Sequence, residues 1–390
     1  MKKINNGRSN KQLRIIGFVI GNIYRDAHAR VKYGCLYRAL GEKFSLLTMK
    51  DATLSGIPRY LNALRYFHPN LHKWRERFYM NVGAFKGRSK KVAAILNNME
   101  GKVDLIFQDG SMFDSQWKYP SIPMVVYIDY TVRLALRHPE TSRFAFKGRE
   151  LDEWLGLESR VYQRSAHIFT DSRMARNSIV EDYGIPKEKV TVVGRGVNFE
   201  SMPEVSLKEH QKDYTFLFIG KDFYRKGGDL LLESFKEVHK QYPQTKLILI
   251  TKKPDSQPSD LPGVEWVAPT WERSEIKNYY RQADLFVLPS RMETWGDVLL
   301  EAMAHGLPCI GVDCDAMPEI IQDGKTGWII PGEDVKALTG CMLHAINHPE
   351  ISIKLGRAGR QRVEKYFTWE KVVDRMAEQI EKVIIEREEK

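Results

Sequence analysis

The stretch ETWGDVLLE, residues 293–301, begins and ends with a glutamate, and an ionised carboxylate accepts hydrogen bonds from ligand hydroxyls. The apolar run DLFVLP before it predicts a strand, and Gly296 with Asp297 predicts that a helix follows, with Asp297 as its N-cap. Glu293 is then expected in the loop and Glu301 about one turn inside the helix. The residues alone suit either a ligand-binding loop at a strand end or a capped helix with two surface glutamates.

The backbone of the same loop offers a second feature for binding. The amides of residues 295–298 would lie at the positive end of a helix, where phosphates and polar sugars bind readily. Gly296 and Asp297 are therefore candidate binding residues together with Glu301.

A second loop, in FIGKDFYRKGGDLLL (218–232), also leads from an apolar run through glycine into a helical pattern. It carries Lys221, Arg225 and Lys226, and cations near a helix start form an environment that suits a diphosphate. The alternative is a basic surface loop. The spacing of neither a Walker loop nor a dinucleotide-binding G-x-G-x-x-G motif is present.

Twelve apolar runs alternate with amphipathic segments and predict the strands of parallel sheets that are covered on both faces. They lie at 14–21, 44–49, 103–110, 123–129, 166–172, 189–194, 214–220, 246–251, 264–268, 284–289, 308–313 and 326–331. The polar segment 198–213 separates two sets of six. We therefore predict an α/β chain of two doubly wound, Rossmann-like domains facing a central crevice, with boundaries at 1–200 and 201–366. The amphipathic helix 367–390 is expected to pack back on the first domain.

The composition of the 390 residues is that of a globular protein, with 43% hydrophobic residues and a net charge of +10. The charge suggests an anionic partner, which could be nucleic acid, anionic lipid or a phosphorylated substrate. No apolar run is long enough to span a membrane, and the basic N-terminus is interpreted as a polar tail before a strand. Four cysteines without metal or redox spacing suit free thiols in a reducing cytoplasm.

With these motifs in view, the sequence resembles the retaining glycosyltransferases of the GT-B class, in nucleotide-sugar-dependent family 4. The resemblance lies in an E-x7-E pattern at Glu293 and Glu301, a Lys-Gly loop at Lys226, and the runs 171–198 and 317–334. It covers the C-terminal half closely and the N-terminal half diffusely. It implies a nucleoside-diphosphate sugar as donor, no metal cofactor, and a glycan or lipid-linked acceptor in envelope or surface polysaccharide synthesis.

The resemblance also implies roles for individual residues. Glu301 would bind the ribose hydroxyls and Glu293 the transferred sugar, while Lys226 and Lys221 would hold the diphosphate together with the backbone near Gly296. Gly21 would lie in the glycine-containing loop that approaches the diphosphate.

Three positions depart from the family pattern. Lys221 stands where arginine is usual, and because a lysine cannot make a planar bidentate contact, Arg225 is a candidate to compensate. Asp129 or Tyr130 stands where a histidine often lies near the reacting sugar, and Asp129 is the candidate carboxylate for a double displacement. The run GRGVN (194–198) replaces N-G-V-D.

Other functions remain open from the sequence. The GT-B fold also serves sugar-nucleotide epimerases and sucrose-synthase-like reactions, and a basic protein could bind nucleic acid, although no nucleic-acid-binding module is recognisable. The run DCD (313–315) resembles a metal-binding Asp-x-Asp motif, but capping of the next helix explains Asp315 more simply.

The segment 59–91 combines basic and aromatic side chains. It contains nine arginines and lysines against one acid, Glu76, with interleaved tyrosine, phenylalanine and tryptophan. This pattern suits an anionic membrane surface, a phosphorylated or acidic glycan, or an ordinary helix with a solvated basic face. We therefore predict a cytoplasmic protein with reversible attachment at the inner membrane face as one hypothesis.

Overall fold

The computed structural model describes residues 13–99, 101–138, 147–205 and 213–388. The described chain divides into two compact units, one formed by the residues up to 194 and from 369 onward, the other by residues 195–368. Each of the twelve apolar runs overlaps a strand, which confirms the predicted α/β class. The predicted linker 198–213 lies partly outside the described residues, which omit 206–212.

The first unit contains a sheet of six parallel strands in the order β2-β1-β3-β4-β5-β6. The strands are β1 Arg14–Val19, β2 Ser45–Asp51, β3 Leu105–Asp109, β4 Met124–Ile128, β5 His167–Thr170 and β6 Val190–Val192. The helices are α1 Ala27–Lys43, α2 Gly56–Arg65, α3 Leu71–Tyr79, α4 Val82–Asn97, α5 Val132–Ala135, α6 Arg149–Arg164 and α7 Arg173–Tyr183. Helices on both faces cover the sheet, which explains why its central strands β1, β3 and β4 are mostly apolar and buried.

The C-terminal helix α14, Trp369–Glu388, belongs to this first unit. Trp369 packs edge-on against Tyr127 of β4 at a ring distance of 6.2 Å, and Lys43 of α1 pairs with Asp374 at 2.9 Å. Buried apolar side chains of α14 share a core with those of α1. The chain therefore returns to its first unit after completing the second.

The second unit contains another six-stranded parallel sheet, in the order β12-β11-β10-β7-β8-β9. The strands are β7 Thr215–Ile219, β8 Lys246–Ile250, β9 Val264–Val267, β10 Leu285–Val287, β11 Cys309–Val312 and β12 Trp328–Ile330. The helices are α8 Gly228–Gln241, α9 Arg273–Gln282, α10 Asp297–Ala304, α11 Met317–Ile320, α12 Val335–Asn347 and α13 Pro349–Tyr366.

The strand order of the second sheet reverses between β7 and β10, which are hydrogen-bonded neighbours. Open α/β sheets bind ligands beyond the carboxyl ends of the strands at such a reversal. The two loops singled out from the sequence follow these two strands. The topology thus brings them to the same edge of the sheet.

Among the described helices, none combines the length and the apolar character that crossing a bilayer requires.

Candidate functional site

The loops after β7 and β10 are joined to each other by hydrogen bonds. The amide of Arg291 donates to the carbonyl of Arg225 at 2.9 Å, and the Arg225 guanidinium donates to the carbonyl of Met292 at 2.9 Å. Arg225 also contacts Asp222 at 3.2 Å. Arg225 therefore holds the two loops together, and two of its donors are already occupied in this structure.

Gly227 permits the two loops to approach closely. Its φ of +73° is one that side chains disfavour, and a Cβ atom there would lie 2.0 Å from the carbonyl oxygen of Pro289. A glycine is therefore required where the first loop enters α8.

Gly227→Ala is expected to lower the free energy of unfolding by about 2–4 kcal/mol, because backbone strain and overpacking act together. Denaturant unfolding measures this change. Gly340→Ala is the matched control, since Gly340 lies within α12 with no neighbouring atom within 4 Å of the added methyl group. Equal stability of the two variants would contradict the close approach.

Lys226 and Glu293 meet between these loops as an ion pair of Nζ and Oε2. Their side chains are only 12% and 7% exposed, so the pair is largely removed from water. The amide of Glu293 donates to Oδ2 of Asp315 at 2.8 Å. The prediction that Asp315 caps the next helix is wrong: Ala316 is the N-cap of α11 without a side-chain bond, and Asp315 instead holds the main chain at Glu293.

The start of α10 also differs from the prediction. Gly296 is the N-cap, with a φ of +114°, and Asp297 is the first helical residue, so the assignment of Asp297 as N-cap is wrong. Only a glycine adopts this backbone readily, and it turns the chain sharply into the helix. The Asp297 carboxylate lies 3.3 Å from Nε of Arg195, whose side chain is buried. Arg195, which the sequence reasoning did not select, thus lies beside the helix start.

Glu301 lies buried in the first turns of α10. Its Oε1 pairs with the Arg273 guanidinium at 3.0 Å, and its Oε2 accepts a hydrogen bond from the Tyr280 hydroxyl at 3.1 Å. Burial raises the pKa of Glu301 above its usual value, although the charge of Arg273 opposes this shift. Arg273 and Tyr280 are further site residues that the sequence analysis missed.

Arg273, the partner of Glu301, also lines a cavity of about 360 Å³. Phe199, Arg273 and Lys277 are among its lining residues, and the Arg273 guanidinium lies over the Phe199 ring at 5.0 Å. An aromatic ring and two cations suit a flat, polar ligand group.

His305 is the C-cap of α10. Its Nδ1 donates to the carbonyl of Glu301 at 2.8 Å, and its ring stacks on Tyr280 at 4.7 Å. Burial lowers the pKa of His305 to about 4, and nearby cations, Arg273 first, add to the shift.

The neutral state of His305 is expected to make stability depend on pH. Its pKa in the unfolded chain is about 6.5, so between pH 6.5 and 4 the unfolded state binds more protons and stability falls as the pH falls. The loss at pH 4 should reach about 3 kcal/mol. His305→Gln should remove that part of the pH dependence, whereas His348→Gln, at an exposed position, should leave it unchanged. Denaturant unfolding at pH 7 and 4 measures the change in the free energy of unfolding. An equal change in wild type and His305→Gln would contradict the prediction.

The remaining predicted residues are Lys221, Asp129 and Gly21. Lys221 is exposed at the start of the β7–α8 loop. Asp129 and Gly21 belong to the first unit, after β4 and β1. The amide of Gly21 already donates to Asp51 at 3.0 Å and to Thr53 at 3.1 Å, so what this residue can offer a ligand is its lack of a side chain.

A buried carboxylate in the first unit organises the loop that carries Asp129. Glu158 of α6 accepts hydrogen bonds from the hydroxyls of Tyr183, Ser111 at 2.8 Å and Tyr162 at 2.9 Å, and from the amide of Val132 at 3.3 Å. Burial raises the pKa of Glu158, and the hydroxyl donors partly offset the shift. These bonds fix the loops after β3 and β4 together.

Within the part of the chain that the structure describes, no group of three or more histidine, cysteine, aspartate or glutamate side chains could hold a metal ion.

Comparison with known families matches residues 204–362 to the model for glycosyl transferases group 1. An uncharacterized glycosyltransferase of Methanocaldococcus jannaschii is 26% identical over 80% of this chain and 83% of its own length. A GDP-mannose-dependent alpha-(1-6)-phosphatidylinositol monomannoside mannosyltransferase of Mycolicibacterium smegmatis is 31% identical over 40% of this chain and 44% of its own length.

Among solved structures, the sucrose-phosphate synthase of Thermosynechococcus elongatus superposes with a TM-score of 0.67 at 17% identity. The superposition covers 96% of this chain and 100% of that one. The chain therefore has the GT-B fold, and the sequence matches support a glycosyltransferase.

Proposed function

We propose that this chain is a retaining family 4 glycosyltransferase that moves a sugar from a nucleoside-diphosphate sugar to a glycan or lipid-linked acceptor in envelope or surface polysaccharide synthesis. The buried Lys226–Glu293 pair beside the start of α10 carries the proposal, because it puts a cation and a carboxylate at the strand reversal where such sheets bind nucleotides. The Mycolicibacterium smegmatis relative is GDP-mannose-dependent by name, which favours a nucleotide-sugar donor.

In this proposal the second unit binds the donor. Lys226 and the first amides of α10, after Gly296, bind the diphosphate, and Lys221 and Arg225 add positive charge. Glu301 accepts hydrogen bonds from the ribose hydroxyls, and the cavity lined by Phe199 and Arg273 receives the base. Glu293 binds the hydroxyls of the transferred sugar, while Asp297, paired with Arg195, fixes the helix start.

The reaction breaks the bond between the anomeric carbon and the diphosphate oxygen, whose electron pair stays on the diphosphate. Positive charge develops on the sugar ring and negative charge on the leaving group. Lys226 and the helix amides stabilise the latter as it forms. The acceptor hydroxyl bonds to the anomeric carbon from the same face and gives its proton to the leaving phosphate, so configuration is kept.

A double displacement is the second route to retention, and it needs a carboxylate nucleophile on the opposite face of the sugar. Asp129 is our candidate for it, and Glu158 would act as the positioning residue for its loop. Replacing Asp129 with alanine abolishes turnover only under this second route.

The site supplies its own positive charge, so we propose that no metal ion is required.

The chain also has four cysteines without disulfide bonds, which suits the reducing cytoplasm.

A thermal-shift panel tests the proposal with UDP, GDP, ADP and their hexose conjugates, each in EDTA and in magnesium. The nucleotides of one base should raise the free energy of unfolding by about 2.7 kcal/mol at about 100 times their dissociation constant. The increase should be equal in both buffers. Stabilisation that needs magnesium would overturn the metal-independent assignment. If no nucleotide stabilises the protein but mixed oligonucleotides do, in a salt-sensitive way, the enzyme assignment itself fails.

Product analysis with the stabilising nucleotide sugar separates transfer from related chemistry. Transfer releases the nucleoside diphosphate and forms a glycoside. An altered sugar still attached to its nucleotide would identify an epimerase instead.

A further inference from the structure

Helix α2 exposes the side of the helix that its sequence makes apolar. Ile57, Tyr60, Leu61 and Leu64 recur at the spacing of one helical face, and they are 74%, 71%, 62% and 75% exposed. Asn62 is the one residue of the helix that is buried. We call the four exposed side chains the α2 apolar face.

Polar contacts attach this helix to the rest of its unit. The Asn62 amide donates to the carbonyl of Phe78 at 2.9 Å, and the Trp74 indole donates to the carbonyl of Ala63 at 3.0 Å. A surface helix normally buries its apolar stripe and turns its polar face outward. Here the apolar stripe is exposed, which marks an interaction surface because exposed apolar side chains that lie side by side are unfavourable in water.

The apolar surface continues beyond α2. Phe67, in the turn to α3, and Leu71, at the start of α3, are 62% and 57% exposed. Phe67 is held by an edge-on contact with Trp74 at a ring distance of 5.7 Å. The surface therefore spans α2 and the beginning of α3.

Exposed basic side chains lie on the same two helices. Residues 56–79 contain five arginines and lysines and one acid, Glu76. All five cations are exposed: Arg59, Arg65, Lys73, Arg75 and Arg77. An apolar helical face flanked by cations is the pattern of helices that lie in the interface of anionic membranes.

We propose that the α2 apolar face inserts into the headgroup region of an anionic lipid bilayer while the cations of α2 and α3 contact the phosphates. A second copy of this chain is disfavoured as the occupant because two equally basic surfaces repel each other. A nucleic acid would use the cations but not the aliphatic side chains. The proposal stands whether or not the sugar-transfer assignment is correct.

The exposed side chains that could contact a membrane therefore differ from those that the sequence pattern of residues 59–91 indicated. Of its aromatic residues, Tyr66, Trp74 and Phe78 are partly buried. The side chains available for insertion are mainly the aliphatic ones of α2, and Ile57 lies before that segment.

Flotation with lipid vesicles tests the inference, using phosphatidylcholine alone and phosphatidylcholine mixed with phosphatidylglycerol. We expect binding to the mixed vesicles and little to the neutral ones. Leu61→Ser with Leu64→Ser should weaken binding at least about tenfold at both low and physiological salt. Ile353→Ser with Ile385→Ser, at two other exposed isoleucines, should leave it unchanged.

The charge contribution is measured with Arg75→Glu and Arg77→Glu together. This double variant should lose most binding to the mixed vesicles, and the wild type should bind them less as salt increases. Circular dichroism and the thermal shift with nucleotide check that each variant remains folded and that the second unit is intact.

Three outcomes would overturn the inference. One is equal binding of wild type to neutral and anionic vesicles. Another is unchanged binding of the Leu61→Ser, Leu64→Ser variant. The third is a mass by light scattering that doubles with protein concentration in the wild type but not in that variant, which would identify a second copy as the occupant.

Discussion

Lys226→Ala is expected to lower kcat for sugar transfer by roughly 10²–10³-fold, because it removes the buried cation nearest the proposed leaving diphosphate. The substitution also leaves Glu293 buried without its partner, which is expected to cost about 3–5 kcal/mol of stability. Steady-state kinetics should therefore be measured at a temperature where circular dichroism shows the variant to be folded.

Two further variants isolate the cause of that loss. Lys236→Ala removes an exposed lysine from α8, the helix that follows the loop, and should leave kcat within about twofold of wild type. Combining Lys226→Ala with Glu293→Ala removes both charges and should restore part of the stability but none of the activity. A folded Lys226→Ala variant with nearly full turnover would show that the diphosphate is bound elsewhere.

The second large effect is expected from the two glutamates, because Glu301 should act on nucleotide affinity and Glu293 on turnover. Glu301→Ala should weaken binding of the bare nucleoside diphosphate by roughly 1.5–3 kcal/mol, because the ribose hydroxyls lose a charged acceptor. Glu293→Ala should reduce turnover and leave that affinity near the wild-type value, because the bare nucleotide carries no sugar. Isothermal titration with the nucleotide chosen by the panel, together with kcat, measures both effects.

Since Glu301 also holds Arg273 and Tyr280, its removal could act through them. Glu301→Gln keeps the size of the side chain and its hydrogen bond from Tyr280, so it should weaken binding less than alanine does. If Glu293→Ala lowers nucleotide affinity while Glu301→Ala lowers only turnover, the two roles have been exchanged.

The strands and the location of the site could be predicted because parallel strands covered on both faces are apolar along their whole length. DLFVLP and FLFIG therefore stand out without knowledge of any partner residue. That they become neighbours at the strand reversal follows from pairing between residues far apart in the chain, which no local pattern contains.

The helix starts show where local reasoning fails. Aspartate is a common N-cap, so the local pattern predicts that role for Asp297 and Asp315. In the structure Gly296 is the N-cap of α10, and Asp315 accepts a hydrogen bond from the amide of Glu293 instead. N-cap propensity describes the average behaviour of aspartate in many proteins. For Asp315, a contact with another segment of the chain determines the role of the side chain.

Glu158 carried a signal in the sequence that could have been used. It falls on the same helical face as Trp154, Leu157 and Val161, where a charged residue is exceptional unless it is fully hydrogen-bonded. For α2 the opposite holds: its apolar spacing is visible in the sequence, but the pattern cannot tell whether that face is buried or exposed.

The anomeric configuration of the first-formed product shows directly whether this protein transfers a sugar with retention. Proton NMR can follow the reaction of the wild-type protein with the stabilising nucleotide sugar in EDTA, using Lys226→Ala as the inactive control. We expect that nucleoside diphosphate is released and that the transferred sugar first appears with the configuration it had in the donor. A product of inverted configuration, or no release from any nucleotide sugar that binds, would contradict it.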